Sequence, residues 1–272
     1  MTYYDVMPIT EICKWLPGKA DPTEMDVWMP SWQHMLDTAS IVRKLFRKWL
    51  PESERYIIYK DIGEEKAEQF IILAALLHDI GKMTPVFVAK LLPFLPACKN
   101  KLEELGLTVP RYEYFFDPAK SHHTLLGAVW LHQHSCPYSL VSIVAAHHGK
   151  PLTKDQSDSV EQKFFRSEHM YGKNGNDSLE KPLWDAARES WLQFALDFSG
   201  FSTPAAIPEV GVPAQMLVSG LLIMADWIAS NQTLFPLLSQ DELPCLIVEE
   251  ERADAAMQAL SLPFPLICDC PP

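Results

Sequence analysis

The sequence has no excess of positive charge. Its 23 lysines and arginines stand against 35 aspartates and glutamates, a net charge of −12. That excludes non-specific wrapping of nucleic acid by a broad basic surface. It does not exclude a nuclease, because bound divalent metals invert the local field of an acidic site. The cysteines, Cys13, Cys98, Cys136, Cys245, Cys268 and Cys270, form no CxxC pair. Cys268 and Cys270 are too close and too isolated to make a zinc site, so the thiols read as reduced in a cytoplasmic protein. The N-terminus lacks a basic segment followed by an apolar one and does not read as a signal peptide. The most apolar run, Met216 to Ala229, is interrupted by Asp226 and falls short of a bilayer span, so no membrane association is expected. Alternating β patterns are scarce. Only Leu246-Ile247-Val248 suggests a short strand, and there is no internal repeat or low-complexity tract.

What is present is an apolar content of 48% over 272 residues, enough to bury a core. Most of it recurs at helical spacing. Trp32, Met35, Ala39, Val42, Phe46 and Trp49 mark an amphipathic helix from about Trp32 to Leu50, with Ser31 as N-cap and Pro51 as stop. A second helix, from about Glu64 to Asp79, ends apolar all round and is expected to be central, with Gly81 terminating it. His123 to His134, Leu140 to His148 and Met216 to Asn231 are further helices. The expected fold is all-α, a compact helical bundle. Residues Lys150 to Asp177 read as a polar surface excursion and Pro204 to Pro213 as a loop.

The histidines cluster. His78-Asp79 ends the central helix, His122-His123 and His147-His148 are doublets, and His34 lies on the first amphipathic helix. A lone histidine such as His34 is ordinarily a satisfied surface residue. Asp226, inside Ile223-Met224-Ala225-Asp226-Trp227-Ile228, is harder to dismiss, because an unpaired buried carboxylate needs a cation, a hydrogen-bond network or a metal. Imidazole and carboxylate together suit Mn, Fe, Co, Ni and Zn. Side chains adjacent on a helix diverge by about 100°, so His78 and Asp79 can serve neighbouring metals, and a carboxylate can bridge two. Such a pair holds a phosphate ester at both its attacking and leaving oxygens.

The order His34, His78-Asp79, Asp226 resembles the H…HD…D signature of the HD phosphohydrolase superfamily. The fuller motifs LLHDIGK (Leu76 to Lys82), HTLLGA (His123 to Ala128), AAHHGKP (Ala145 to Pro151) and MADWIASN (Met224 to Asn231) resemble the HD nuclease domain of the type I CRISPR-associated helicase-nuclease. The resemblance runs from His34 to Asn231. It implies a hydrolase that cuts single-stranded DNA in antiviral defence. It implies two divalent transition metal ions, Fe, Mn, Co or Ni. His34, His78, Asp79 and Asp226 would bind one, and Asp79 would bridge to a second held by His123, His147 and His148. Its implied partners are single-stranded DNA, a helicase domain or subunit, and the RNA-guided surveillance complex.

Residues 1–262 are then expected to form the HD domain, with 263–272 a tail or linker toward a helicase, since no helicase motifs precede Pro272. The family often carries Gln after the Phe that follows its HDxGK motif, whereas here Val88 follows Phe87. His123 is favoured over His122 because Gly127 lies four residues on. Asp79 and Lys82 are the expected catalytic residues. Lys82 is either a solvated helix-end lysine or a cation for transition-state charge. Ser230 and Asn231 are either substrate contacts or caps. His132 and His134 read as structural and His169 as solvated. Tyr112, Tyr114, Phe115 and Phe116 are either core or stacking platforms for bases. A second reading is an HD phosphohydrolase of nucleotides or cyclic nucleotides, and a third is a scaffold with a degenerate site. The complete ligand set argues against the third.

Overall fold

The computed structural model describes residues 8–115, 117–118, 120–150, 152–161, 166–239 and 249–262. Its centre is the crossing of two helices, α2 (Ser31–Lys44) and α4 (Glu64–Leu77). They follow α1 (Glu11–Trp15), the hairpin β1 (Pro17–Ala20) and β2 (Val27–Pro30), and α3 (Glu52–Ile62). Glu64 and Glu65 open α4, where acidic charge suits the helix dipole. From Phe70 to Leu77 every residue of α4 is buried, as a helix apolar on all faces requires. On α2 burial reaches nearly every position, His34 included, so His34 is no surface residue.

Around this pair pack α5 (Pro85–Leu91), α6 (Pro96–Glu104), α7 (His123–Gln133), α8 (Tyr138–Ala146), α9 (Lys154–Glu161), α10 (Glu168–Tyr171), α11 (Lys181–Ser199), α12 (Val212–Ala229) and α13 (Glu249–Leu260). The expected all-α class holds. The sheet is a small annex: β2 pairs antiparallel with β1 and with β3 (Leu238–Ser239).

Several expectations need correction. Ser31 is the first helical residue rather than the N-cap, and its side chain caps nothing; Pro30 stands at the cap. The first helix stays α-helical only to Lys44 and finishes as a π-helical turn, Leu45–Trp49. Gly81 does not terminate α4, which closes at Leu77 and passes through His78 and Asp79 into a 3-10 turn, Ile80–Lys82. Gly81 is needed for close approach: a Cβ there would lie 1.9 Å from the His123 carbonyl oxygen. Lys150 to Asp177 is no bare excursion, since α9 and α10 lie within it and Val160, Met170 and Tyr171 are buried. Helix α12 starts at Val212. Its 18 residues are long and apolar enough to cross a membrane on those measures alone. Here it packs against α2, α3, α4 and α8. Leu246-Ile247-Val248, Phe116, Cys245, Cys268, Cys270 and the tail 263–272 lie outside the described residues. Cys13, Cys98 and Cys136 are free and buried.

Candidate metal centre

The turn after α4 sets the centre. A helix end leaves carbonyls without partners, and in a buried place each needs one. Helix α11 supplies two: Trp191 Nε1 donates to Leu76 O at 2.7 Å, and Arg188 Nη1 to Met83 O at 2.8 Å. Thr84 Oγ1 donates to Gly81 O at 2.8 Å. His78 Nδ1 donates to Ala75 O at 2.7 Å, which fixes the ring and turns Nε2 inward. His147 repeats the device at the end of α8, with Nδ1 on Val144 O at 2.6 Å. Gly81 and Gly127 let the turn and α7 touch, since even at Gly127 a Cβ would lie 3.1 Å from Gly81 N. That contact delivers His123 to Asp79.

The two carboxylate oxygens of Asp79 face different partners. Oδ2 lies 3.3 Å from His34 Nε2 and 3.3 Å from His78 Nε2. Oδ1 lies 3.4 Å from His123 Nε2 and 3.5 Å from His147 Nε2. Asp226 Oδ1 is 3.0 Å from His34 Nε2 and 3.7 Å from His78 Nε2. His123 and His148 approach Nε2 to Nε2 at 3.0 Å. Two donor groups result: His34, His78, Asp79 and Asp226, all buried, and His123, His147 and His148, open toward His148. Every residue of the expected ligand set is brought together.

A divalent metal fits these groups on an independent observation. His78 Nε2, His147 Nε2 and Asp79 Oδ1 are buried without a hydrogen-bond partner. Buried polar atoms are ordinarily satisfied, and three without partners around one carboxylate are suited to donate their lone pairs to a cation. The field agrees. Burial alone would raise the Asp79 pKa, yet Lys82 and His78 hold it well below the usual carboxylate range. Asp226 is likewise depressed: burial is overridden by His34 and His78. Burial works against a charge on His78, but Asp79 and Asp226 push it up to about 9. His34 and His123 are lowered, chiefly by burial. The pocket demands positive charge next to its carboxylates.

Lys82 is not a solvated helix-end lysine. It is 8% exposed, and its Nζ lies 2.5 Å from Asp79 Oδ2. Phe87 packs edge-on against His123, ring centroids 5.5 Å apart, and Val88 is buried, so the position that follows Phe87 serves the core. His122 is exposed at the rim, which leaves His123 as the inward member of its doublet. Ser230 reaches Asp226 Oδ1 at 3.0 Å, whereas Asn231 turns away and accepts from Thr233 N at 2.9 Å. His134 stacks on Trp130, remote from the centre. His169 is half-buried and meets Ser121 Oγ at 3.1 Å rather than being solvated.

Sequence reasoning missed Lys19, which donates to Ser230 Oγ at 2.6 Å and so stands behind Asp226. Burial lowers it to about 8, with Lys82 pushing the same way. Its signal was faint: a lysine in Pro17-Gly18-Lys19, between apolar helices, with no motif around it.

The family model for the HD domain of Cas3 matches residues 17–235. This chain belongs to the Cas3 HD domain family. It is 32% identical over 234 residues to a CRISPR-associated nuclease/helicase Cas3 of Streptococcus thermophilus, covering 82% of this chain and 25% of that protein. It is 30% identical over 217 residues to a CRISPR-associated endonuclease/helicase Cas3 of Thermus thermophilus, covering 76% of this chain and 21% of that protein. This HD domain thus spans about a quarter of the length of the curated relatives it matches. The crystal structure of the Thermus thermophilus Cas3 HD domain in the presence of Ni2+ shares its fold. The TM-score is 0.57 at 22% identity, over 93% of this chain and 91% of that one.

Proposed function

We propose that this Cas3 HD domain is a hydrolase that cleaves phosphodiester bonds of single-stranded DNA with two divalent transition metal ions, in type I CRISPR interference in the cytoplasm. The observation that carries the reading is Asp79, whose two oxygens face two separate sets of imidazoles. The printed names of its relatives, nuclease/helicase and endonuclease/helicase, support nucleic acid as the substrate.

In this reading His34, His78, Asp79 and Asp226 hold one ion. His123, His147 and His148 hold the other, with Asp79 common to both. Fe, Mn, Co and Ni all suit a mixed imidazole and carboxylate set. The ions, when bound, supply Lewis acidity: they acidify a water and polarise a phosphate ester. The chain does the rest. The Ala75 and Val144 carbonyls hold His78 and His147 in the tautomer whose Nε2 can ligate. Ser230 and Lys19 steady Asp226. Lys82 brings a fixed positive charge to the rim of the carboxylate, where it can meet charge that builds on the phosphate.

Substrate form follows from burial. His34, His78, Asp79 and His147 are each at most 1% exposed, so the scissile phosphate must be brought inward past His148. A flexible single strand can bend into such a recess, whereas a duplex cannot without being opened. A helicase domain or subunit and an RNA-guided surveillance complex are the proposed sources of that strand. The test is incubation of the metal-loaded domain with circular single-stranded DNA, intact duplex and cyclic nucleotides. Nicked and degraded circles with spared duplex are expected. Turnover of cyclic nucleotides without DNA cleavage would promote the nucleotide phosphohydrolase reading instead.

A further inference from the structure

Two cavities lie against α5, on the side where the metal centre opens. One, of about 430 Å³, has Phe87, Lys90 and Tyr112 in its wall together with His123 and His148. The other, of about 550 Å³, has Lys99, Arg111, Tyr112 and Tyr114. Tyr112 is the wall they share, so the two lie side by side and together make a trough-like face that begins at the mouth of the centre.

The trough is locally basic. Among the described residues that line it, Lys90, Lys99 and Arg111 stand against one carboxylate, Glu113, in a protein of net charge −12. Lys99 makes a weak exposed pair with Glu103 at 3.5 Å, which a phosphate can displace. The trough is also aromatic. Tyr114 is 56% exposed, and so contributes little to the core for its size. Tyr112 is half-buried and held by its hydroxyl, which donates to Pro118 O at 3.3 Å. Cations beside exposed aromatic faces are what single-stranded nucleic acids use: phosphates take the charge, and any base can stack. An aliphatic peptide or an uncharged lipid would not call for the three cations.

We propose that this trough is a binding track for the nucleotides that flank the scissile phosphate. Bases stack on Tyr112 and Tyr114, and the backbone lies along Lys90, Lys99 and Arg111. The proposal rests on the nuclease reading above and adds where the rest of the strand runs. It also assigns Tyr112 and Tyr114 to the substrate and leaves Phe115, which is 5% exposed, to the core.

The experiment uses the whole metal-loaded chain and three substrates: a single strand of about 12 nucleotides, a strand with abasic sites throughout its flank, and bis(p-nitrophenyl) phosphate, which has no flank. Tyr114→Ala should lower kcat/KM on the normal strand about tenfold, the loss of roughly one stacked base. It should leave the abasic strand and the small ester unchanged, and Tyr114→Phe should match wild type. Fluorescence anisotropy in the presence of chelator should show the same weakening of binding to the normal strand. Arg111→Ala should flatten the salt dependence of binding to both strands, because it removes a phosphate contact rather than a base contact. Equal cleavage of the normal strand by wild type and Tyr114→Ala would overturn the track. So would equal losses on normal and abasic strands. If wild type cuts neither the strand nor the ester, the nuclease reading itself fails, an outcome distinct from both.

Discussion

At the residue scale, the proposed chemistry rests on Asp79 and the charge beside it. The sequence made this legible because imidazoles and carboxylates are ready metal donors and stand here at recognisable spacing. It left Lys82 open between a surface and a site role, since its burial depends on the turn that carries it. With Nζ against Asp79, Lys82 is expected to matter for rate and not for metal retention, because an ammonium is not a ligand. Lys82→Ala should keep its metal content and slow single-turnover cleavage of single-stranded DNA by about ten- to a hundredfold, roughly 1.4–2.7 kcal/mol of barrier. An unchanged rate would return it to a structural role.

At the element scale, the centre is made by helix ends meeting. The helices that carry the motifs were readable from their apolar spacing. Their ends were not, because a cap or a close approach is decided by the neighbour across the contact. Gly81 is the clearest case: a glycine after a helix suggests a stop, and only the position of α7 shows that it makes room for the His123 carbonyl. Gly81→Ala is therefore expected to cost more than about 3 kcal/mol, since the clash is with backbone and cannot be relieved by a rotamer. Gly127→Ala meets atoms at 3.1 Å and 3.3 Å and gains helix propensity, so it should stay within about 1 kcal/mol of wild type. Urea denaturation separates the two, and equal effects would refute the contact. Trp191, on α11, supports the centre without belonging to any of its motifs. Its helix has a clear period in Trp184, Ala187, Trp191 and Ala195, yet carries no ligand. Its indole supports the turn through Leu76 O, and Trp191→Phe should cost about 1–3 kcal/mol by leaving that carbonyl unpaired.

At the scale of the whole molecule, the buried thiols make an independent prediction. Burial pushes Cys13, Cys98 and Cys136 from 9.0 up to about 12. Unfolded thiols release their protons near pH 9 while the folded ones keep theirs, so stability is lost as pH rises above 9. Each contributes about 1.4 kcal/mol per pH unit once the unfolded thiol is ionised. Lys19 runs the other way between about pH 8 and 10.5, because its folded pKa is lowered. The net loss near pH 10 is then roughly 3 kcal/mol per pH unit. Under reducing conditions the urea midpoint should fall steeply from pH 9 to 10, and Cys136→Ala should make that fall shallower. A midpoint that holds constant would contradict the burial of these thiols.

The central proposal joins all three scales: two ions would share one carboxylate held at a helix end inside the bundle. Metal content per chain, counted in wild type and in single-ligand variants, tests it most directly. Wild type should hold two ions, Asp79→Ala neither, and His34→Ala and His147→Ala should each retain chiefly the ion of the opposite set. Full retention of both ions in Asp79→Ala would contradict the bridge.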